Sequence, residues 1–354
     1  MSDRVVVAMS GGVDSSVAAA IMKKKGYEVI GLTMHLGSSD SRCCSEQDVI
    51  DARNVSDALA IPHDVVSLKT VFQQDVIDYF VEEYSRGRTP NPCALCNPKI
   101  KFGALLDKAR ELNAKYLVTG HYANVRKNPD TGRWLLKRGK ERGKDQSYFL
   151  GRLSQDQLRH ALFPVGNYPK AKIRQLAERM GLPIAQKTES QEVCFVPKSG
   201  VAEFIENERG EPFQPGKITL SDGTELGDHP GIIGYTIGQR KGLGIAVGKP
   251  VYVTKIDGHT HTVTVGEDHE LYHDRLIASD PHWISIPAIT EPMEVRTRIR
   301  YKHRPALSTI EPVEENRIRV HFKSPQRAIT PGQLAVFYKK DIVLGSAWID
   351  RIEN

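Results

Sequence analysis

No apolar run in the chain approaches the ~18 consecutive residues that a membrane-spanning helix requires. Its 354 residues are 40% hydrophobic and 26% charged, an ordinary globular balance that excludes a membrane-embedded class and allows two or three domains. No targeting leader is expected, because Met1-Ser2-Asp3-Arg4 runs straight into an apolar strand, and the expected compartment is the cytoplasm. Cysteine is scarce and odd in number, five in all, which argues against a disulfide framework and for thiol chemistry or metal binding. Internal repeats and low-complexity tracts are absent.

Two nucleotide signatures are also missing from the first strand-loop-helix. After Val5-Val6-Val7-Ala8-Met9 comes Ser10-Gly11-Gly12-Val13-Asp14-Ser15-Ser16, with neither the Gly-Lys-Ser/Thr of a Walker A loop nor Gly-x-Gly-x-x-Gly. What is there still suits a phosphate. Paired glycines allow close backbone approach, serines add hydroxyl donors, and the helix that follows directs its amides and positive dipole end at the loop. A plain Ser/Gly turn is the structural alternative.

The pattern from residue 1 to about 120 alternates strand and helix. Strands are predicted at Val5 to Met9, Glu28 to His35, Pro62 to Ser67 and Lys115 to Thr119, and helices at Asp14 to Lys25, Glu46 to Ala60, Thr70 to Ser85 and Lys99 to Leu112. Asp14 or Ser15 is expected to cap the first helix and Gly26 to end it. Such alternation implies a doubly wound parallel sheet whose ligands sit at the carboxyl ends of the strands, here the Ser10 loop, Met34-His35 and Gly120-His121. A second helical segment follows, including Ala171 to Met180. Eleven of the 29 glycines fall between residues 200 and 250, and short alternating runs beyond them predict small β modules with a boundary near Asp280-Pro281.

The net charge is +6, and one segment matches that excess by itself: eight Lys/Arg against two acids between Arg126 and Lys144. A second concentration, Arg296-Thr-Arg298-Ile-Arg300-Tyr301-Lys302, would place four cations on one face as a strand, which suits a phosphate backbone; a solvated face is the alternative. Thr89-Pro90-Asn91-Pro92-Cys93-Ala94-Leu95-Cys96-Asn97 puts Cys-x-x-Cys at a proline-rich turn before a helix, where the dipole lowers a thiol pKa. Half a zinc site is the other reading, but no second pair at finger spacing follows. Cys194, before Phe195, is either a buried structural cysteine or a reactant, and Cys43-Cys44 either structural or site-lining.

Several motifs occur in order over nearly the whole chain. They are Ser-Gly-Gly-Val-Asp-Ser, the Thr89-to-Asn97 segment, Thr119-Gly-His-Tyr122, Lys144-Asp-Gln-Ser-Tyr-Phe-Leu150, the cysteine before Phe195, and His229-Pro-Gly through Arg240. Together the chain resembles the tRNA-specific 2-thiouridylases of the PP-loop ATPase superfamily. The resemblance implies an α/β fold: a doubly wound parallel-sheet PP-loop domain over 1–205 with a helical tRNA-binding segment at about 150–200, a central β domain over 206–278, and a carboxyl-terminal β-barrel over 279–354. It implies ATP-dependent thiolation of C2 of the wobble uridine in tRNAs for lysine, glutamate and glutamine. The O2 is adenylated, and sulfur then comes from a persulfide on Cys194 with Cys96 as nucleophile, or directly from the persulfide sulfur.

By the same resemblance, Ala8, Met9, Ser10, Gly11, Gly12, Val13, Asp14, Ser15, Met34 and Gly120 bind ATP; developing charge on the phosphates calls for Mg2+ with the ATP, and Asp14 is the expected indirect ligand. Asn91, Pro92 and Cys93 face the target base, and His121, Lys144, Asp145, Gln146, Arg300, Tyr301 and Gln333 touch tRNA near the anticodon. For Met34, His121 and Gln333, structural roles in the core, a hydrogen bond and a turn are the alternatives. A sulfur-donor protein, such as a cysteine desulfurase or sulfur-relay protein, is the expected partner. Many members carry Asp, a general base, where this chain has Cys93. Cys93, Cys96 and Cys194 could instead ligate an iron-sulfur cluster with one open iron. A PP-loop synthetase acting on a small acceptor, and a tRNA-binding protein with a relict nucleotide site, are the other classes.

Overall fold

The computed structural model describes residues 3–37, 45–187, 193–314 and 316–353. Cys43, Cys44 and the 188–192 part of the Cys194 motif lie outside the described residues. A parallel sheet opens the chain: β1 (Arg4–Ala8), β2 (Glu28–His35), β3 (His63–Ser67) and β4 (Tyr116–Val118), joined after the hairpin β5 (Ala123–Lys127) and β6 (Trp134–Arg138) by β7 (Ala161–Leu162), in the order β3-β2-β1-β4-β7. The pleat sends alternate residues of β1 to opposite faces. Val6 enters a core with Leu32, Phe72, Phe80 and Leu105, while Val5 and Val7 enter another with Val17, Val55 and Ile173. Helices therefore cover both faces, and the run of three valines is fully buried.

Helix α1 (Val13–Lys24) is followed by Gly26 at φ +85°, as expected of a helix stop, but its N-cap is Gly12 with no side-chain cap. The expected cap by Asp14 or Ser15 fails because both side chains are engaged elsewhere. The Asp14 carboxylate binds Lys170, and Ser15 Oγ donates back to the Gly12 carbonyl. The helix predicted from Lys99 begins instead at Pro92 and runs to residue 111, with a π-helical stretch over Asn97–Ala104. Asn91 caps it by accepting from the Ala94 amide at 3.3 Å, and Pro92 sits at the first helical position, where a missing N–H costs nothing.

Beyond the sheet lie β8 (Gly216–Leu220), β9 (Glu225–His229), β10 (Tyr252–Asp257) and β11 (Thr262–Gly266), ordered β10-β11-β8-β9. Then come β12 (Tyr272–Trp283), β13 (Met293–Arg298), β14 (Ala306–Val313), β15 (Arg317–Arg327), β16 (Leu334–Lys339) and β17 (Ile342–Ile352). Pairing of β12 with both β15 and β17 closes these six into a barrel. The expected divisions at 205/206 and 278/279 fall inside the helix Val201–Arg209 and inside β12. The Asp280-Pro281 turn signal is a bulge in that strand: Asp280 has φ +50° and the register shifts between Ser279 and His282.

The basic segment after Arg126 runs through the β5–β6 hairpin and past its end at Arg138, and the hairpin extends the barrel sheet where Lys137 lies opposite Ile342. The second basic run is a strand only as far as Arg298. Arg296 is exposed, Arg298 is buried, and the chain turns from residue 300, so the expected four-cation face is not formed.

Candidate active site

The Ser10 loop lies at the carboxyl end of β1. Gly11 adopts φ +65°, and a Cβ there would lie 2.5 Å from the Asp48 carbonyl oxygen, so the loop rests on the first turn of the helix Glu46–Ala58. Ser15 Oγ accepts from the Ser10 amide at 3.2 Å and lies 3.3 Å from Ser10 Oγ, curling the loop over the helix start. Without a side-chain cap, the first amides of α1 remain directed at whatever the loop holds, which favours an anion. Gly120, at the end of the neighbouring β4, packs so closely that a Cβ would meet the Asp14 carbonyl carbon and the Ser15 amide at 2.7 Å.

The Asp14 carboxylate is engaged by two partners. Lys170 Nζ lies 2.8 Å from each of its carboxylate oxygens, and the Tyr122 hydroxyl donates to it at 2.7 Å. Lys170 is buried at the start of the helix Lys170–Arg179. Sequence reasoning missed this cation at the loop; the only signal was Pro169-Lys170 at a helix start. Met9 and Met34 are buried core residues and Ala8 is half-buried beside them.

The Cys194 cavity and the turn bearing Cys93 and Cys96 both border one helical turn. A cavity of about 260 Å³ opens just past the end of β2, lined by Leu36, Gly37, Lys69, Gln73, Ile77 and Cys194 among others. Phe195 anchors the neighbouring backbone by edge contacts to Phe72 (5.6 Å) and Phe80 (5.1 Å). The helical turn Gln73–Ile77 that walls this cavity also packs against Pro92–Cys96, the turn bearing Cys93 and Cys96. All three cysteines are half-buried. Ala8 of β1 lies opposite Leu32 of β2, so the phosphate loop and the cavity occupy the same edge of the sheet.

Among the described residues no three His, Cys, Asp or Glu side chains converge so as to hold a metal ion, and Cys93, Cys96 and Cys194 are all described. The three-cysteine donor set expected for an iron-sulfur cluster is not assembled.

The residues expected to touch tRNA divide in two. Asp145 is fully buried and accepts from Arg138 Nε (2.9 Å), Arg298 (3.2 Å) and the amides of Gly139 and Ser147 (3.0 and 3.2 Å), joining the β5–β6 hairpin to the barrel. Gln146 Oε1 accepts from the Tyr122 amide at 2.9 Å. The His121 ring is buried between Phe102 and Phe163, its Nδ1 2.7 Å from Thr119 Oγ1. Burial, with Lys101 adding to it, pushes this ring well below its ordinary pKa of 6.5, so it is neutral near pH 7. Gln333 donates to the carbonyls of Thr89 and Pro90. Arg300 donates to the carbonyls of Arg327 and Ala328, and Tyr301 packs on Phe149 with ring centroids 4.5 Å apart. Lys144, Arg300 and Tyr301 are half-exposed, and Arg126, Lys127, Lys140, Arg296 and Lys302 are exposed.

Three family models match the chain in order: a tRNA methyl transferase HUP domain over residues 3–198, a tRNA methyl transferase PRC-barrel domain over 202–267, and an aminomethyltransferase beta-barrel domain over 273–349. Similar curated proteins include the tRNA-specific 2-thiouridylase MnmA 2 of Thermoanaerobacter sp. (strain X514), 48% identical over 99% of both chains. The tRNA-specific 2-thiouridylase MnmA of Acetivibrio thermocellus is 46% identical over 98% of this chain and 99% of its own. That of Geobacter metallireducens is 48% identical over 98% and 96%. With a glycine loop at the carboxyl edge of the parallel sheet and likeness along the full length, the chain belongs to the family of the tRNA-specific 2-thiouridylases.

Proposed function

We propose that the protein replaces the C2 oxygen of the wobble uridine in tRNAs for lysine, glutamate and glutamine by sulfur, converting ATP to AMP and pyrophosphate. The observation that carries this reading is the placement, at one edge of the parallel sheet, of an uncapped anion loop and of a cavity lined by Cys194 whose helical wall packs against the turn bearing Cys96. A PP-loop synthetase for a small acceptor needs neither the thiols nor the barrel, and the curated relatives match through both.

The C2 carbonyl of uracil is a poor electrophile with an oxide-like leaving group. Attack of O2 on the α-phosphorus of ATP expels pyrophosphate, for which the Ser10–Ser15 loop supplies amides and hydroxyls, and Lys170 supplies a positive charge one carboxylate away. ATP arrives with Mg2+. Asp14 is its expected indirect contact, and with Lys170 on both of its oxygens it reaches the ion only by sharing or exchanging that partner. Sulfur follows. A Cys96 thiolate attacks the inner sulfur of a Cys194 persulfide, hydrosulfide departs to C2, AMP leaves, and a Cys96–Cys194 disulfide remains for reduction. In the variant order, the terminal persulfide sulfur attacks C2 first and Cys96 then resolves the adduct.

The uridine has to leave the anticodon stack to reach this edge, entering beside Asn91, Pro92 and Cys93. In our reading Lys144, Arg300, Tyr301 and the exposed Arg126, Lys127 and Lys140 receive the tRNA, whereas the buried His121 and Asp145, and the half-buried Gln146 through its bond to the Tyr122 amide, shape the surface from beneath. A cysteine desulfurase or sulfur-relay protein would load Cys194, and the cytoplasm, where such partners and tRNA meet, is the proposed location.

The test is tRNA-dependent pyrophosphate release. Cys96→Ser should give a burst stoichiometric with enzyme and no sulfurated product, whereas Gly11→Ala should give no burst. Pyrophosphate release that is indifferent to tRNA would refute the proposal.

A further inference from the structure

We propose that Gln333 is a positioning residue for sulfur transfer: a latch through which the carboxyl-terminal barrel fixes the loop that enters the Cys93–Cys96 helix. The inference rests on the assignment of Cys96 as nucleophile made above.

The segment 88–92 contains Pro90 and Pro92, which donate no N–H and so remove two local donors, and the Thr89 and Pro90 carbonyls take their donors from elsewhere. Gln333 provides them. Its Nε2 lies 3.0 Å from the Thr89 oxygen and 3.1 Å from that of Pro90. Both partners are acceptors, so only the nitrogen end of the carboxamide can face them. The backbone of Gln333 is itself held: its amide donates to Thr330 (3.2 Å) and its carbonyl accepts from Ile349 of β17 (2.8 Å). The Thr89 amide closes the pair by donating to Pro331 at 3.0 Å. Gly332, at φ +89°, permits the approach, because a Cβ there would stand 2.9 Å from the Thr89 oxygen.

The residues on either side are held by the same barrel. Arg88 donates to the Asp350 carboxylate at 3.2 Å and to the Ile349 carbonyl at 3.1 Å. The Tyr148 hydroxyl, bonded to the Asn91 side chain, donates to the Leu334 carbonyl at 2.9 Å. From Arg88 to Asn91, each residue before the thiol turn is thus tied, directly or through Tyr148, to β16, β17 or the turn between β15 and β16. A tRNA seated on the barrel would pull on the loop that aims Cys96.

The full-length enzyme with Gln333→Met, of similar size but without donors, and Gln333→Ala tests the latch. Four quantities are read: tRNA affinity, the tRNA-dependent pyrophosphate burst, single-turnover thiolation, and hydrogen exchange of amides 93–97. Affinity and burst should stay within about twofold. Thiolation should slow on the order of a hundredfold, the loss that misplacing a reacting group by about 1 Å can cause. Exchange at 93–97 should quicken in both variants. Weakened tRNA binding with thiolation per bound tRNA and exchange unchanged overturns the latch and makes Gln333 a direct contact. A uniform fall of burst, thiolation and melting temperature also overturns it, as a general structural effect. If the wild type makes no thiouridine, the proposed function fails, while the exchange comparison still decides whether Gln333 holds the loop.

Discussion

Replacing Asp145 by Ala removes one carboxylate from beneath two arginines. Arg298 has only 7% of its side chain exposed and Arg138 17%, while the Asp145 carboxylate is fully buried. The guanidiniums would keep their cation contacts to Tyr148, Tyr301 and Tyr338 but lose the anion that neutralises them, and two buried amides, of Gly139 and Ser147, would lose their acceptor. Removing one partner of a buried ion pair costs about 3–5 kcal/mol, because the surviving charge stays desolvated. At roughly 2–4 °C per kcal/mol, the range for a cooperative unit of about 150–250 residues, the melting temperature of the unit that holds this pair should fall by about 6 °C or more. The loss should persist at 0.5 M salt, since buried pairs are weakly screened, and in Asp145→Asn, which keeps the volume. Thermal and urea unfolding of both variants measures it, with tRNA affinity measured at a temperature where each is folded. A variant as stable as wild type but with weakened tRNA binding would refute the reasoning and return Asp145 to the surface role that family resemblance implies.

Four further outcomes are expected. Gly11→Ala needs a left-handed conformation and puts a methyl 2.5 Å from the Asp48 oxygen, so ATP turnover should be lost while tRNA binding persists, as filter binding and AMP formation would show. Lys170→Ala should lower pyrophosphate release by on the order of tenfold to a hundredfold, the worth of one charge contact of about 1.5–3 kcal/mol; unchanged kinetics would remove Lys170 from the ATP site. His121 is held neutral in the folded state, so the unfolded chain takes up its proton first as pH falls below 6.5. Its share of stability is present above that pH and is lost below it, and His121→Gln should flatten urea stability against pH by up to about 1.4 kcal/mol per unit. If tRNA binding engages six or more phosphates, affinity should drop on the order of a thousandfold between 50 and 200 mM salt, and neutralising Arg126, Lys127 and Lys140 together should reduce the slope by about three.

The strand-loop-helix at Ser10 was legible in the sequence because its signals are local: a valine run, two glycines and an alanine-rich helix. The strand over Glu28–His35 has the bounds that periodicity predicted. Charge patterning misled where burial depends on distant partners. Nothing near Arg298 announces that Asp145, 153 residues away, will bury it, and nothing in the basic segment shows that Arg133 will donate to the Ile284 carbonyl and Arg142 to Asp341. The proline-rich run before Cys93 read as a turn because two prolines outweighed Asn91-Pro92 as a cap and first helical residue, which moved the helix start by seven residues. Lys170 and Gln333 belong to the same class: their chemistry is plain, but which carboxylate or carbonyl they meet is set only by the closed fold.

The central claim, that an adenylated carbonyl oxygen is replaced by sulfur carried on cysteine, is tested most directly by nucleoside mass analysis. Unmodified tRNA for lysine, glutamate or glutamine is incubated with ATP, a sulfur source and enzyme, and the anticodon nucleosides are then weighed. Wild type should convert the wobble uridine to its 2-thio form, 16 mass units heavier by the exchange of oxygen for sulfur, only when ATP is present, and neither Cys96→Ser nor Cys194→Ser should do so. A wobble uridine left unsulfurated by the wild type, or sulfurated equally by both cysteine variants, would contradict the account.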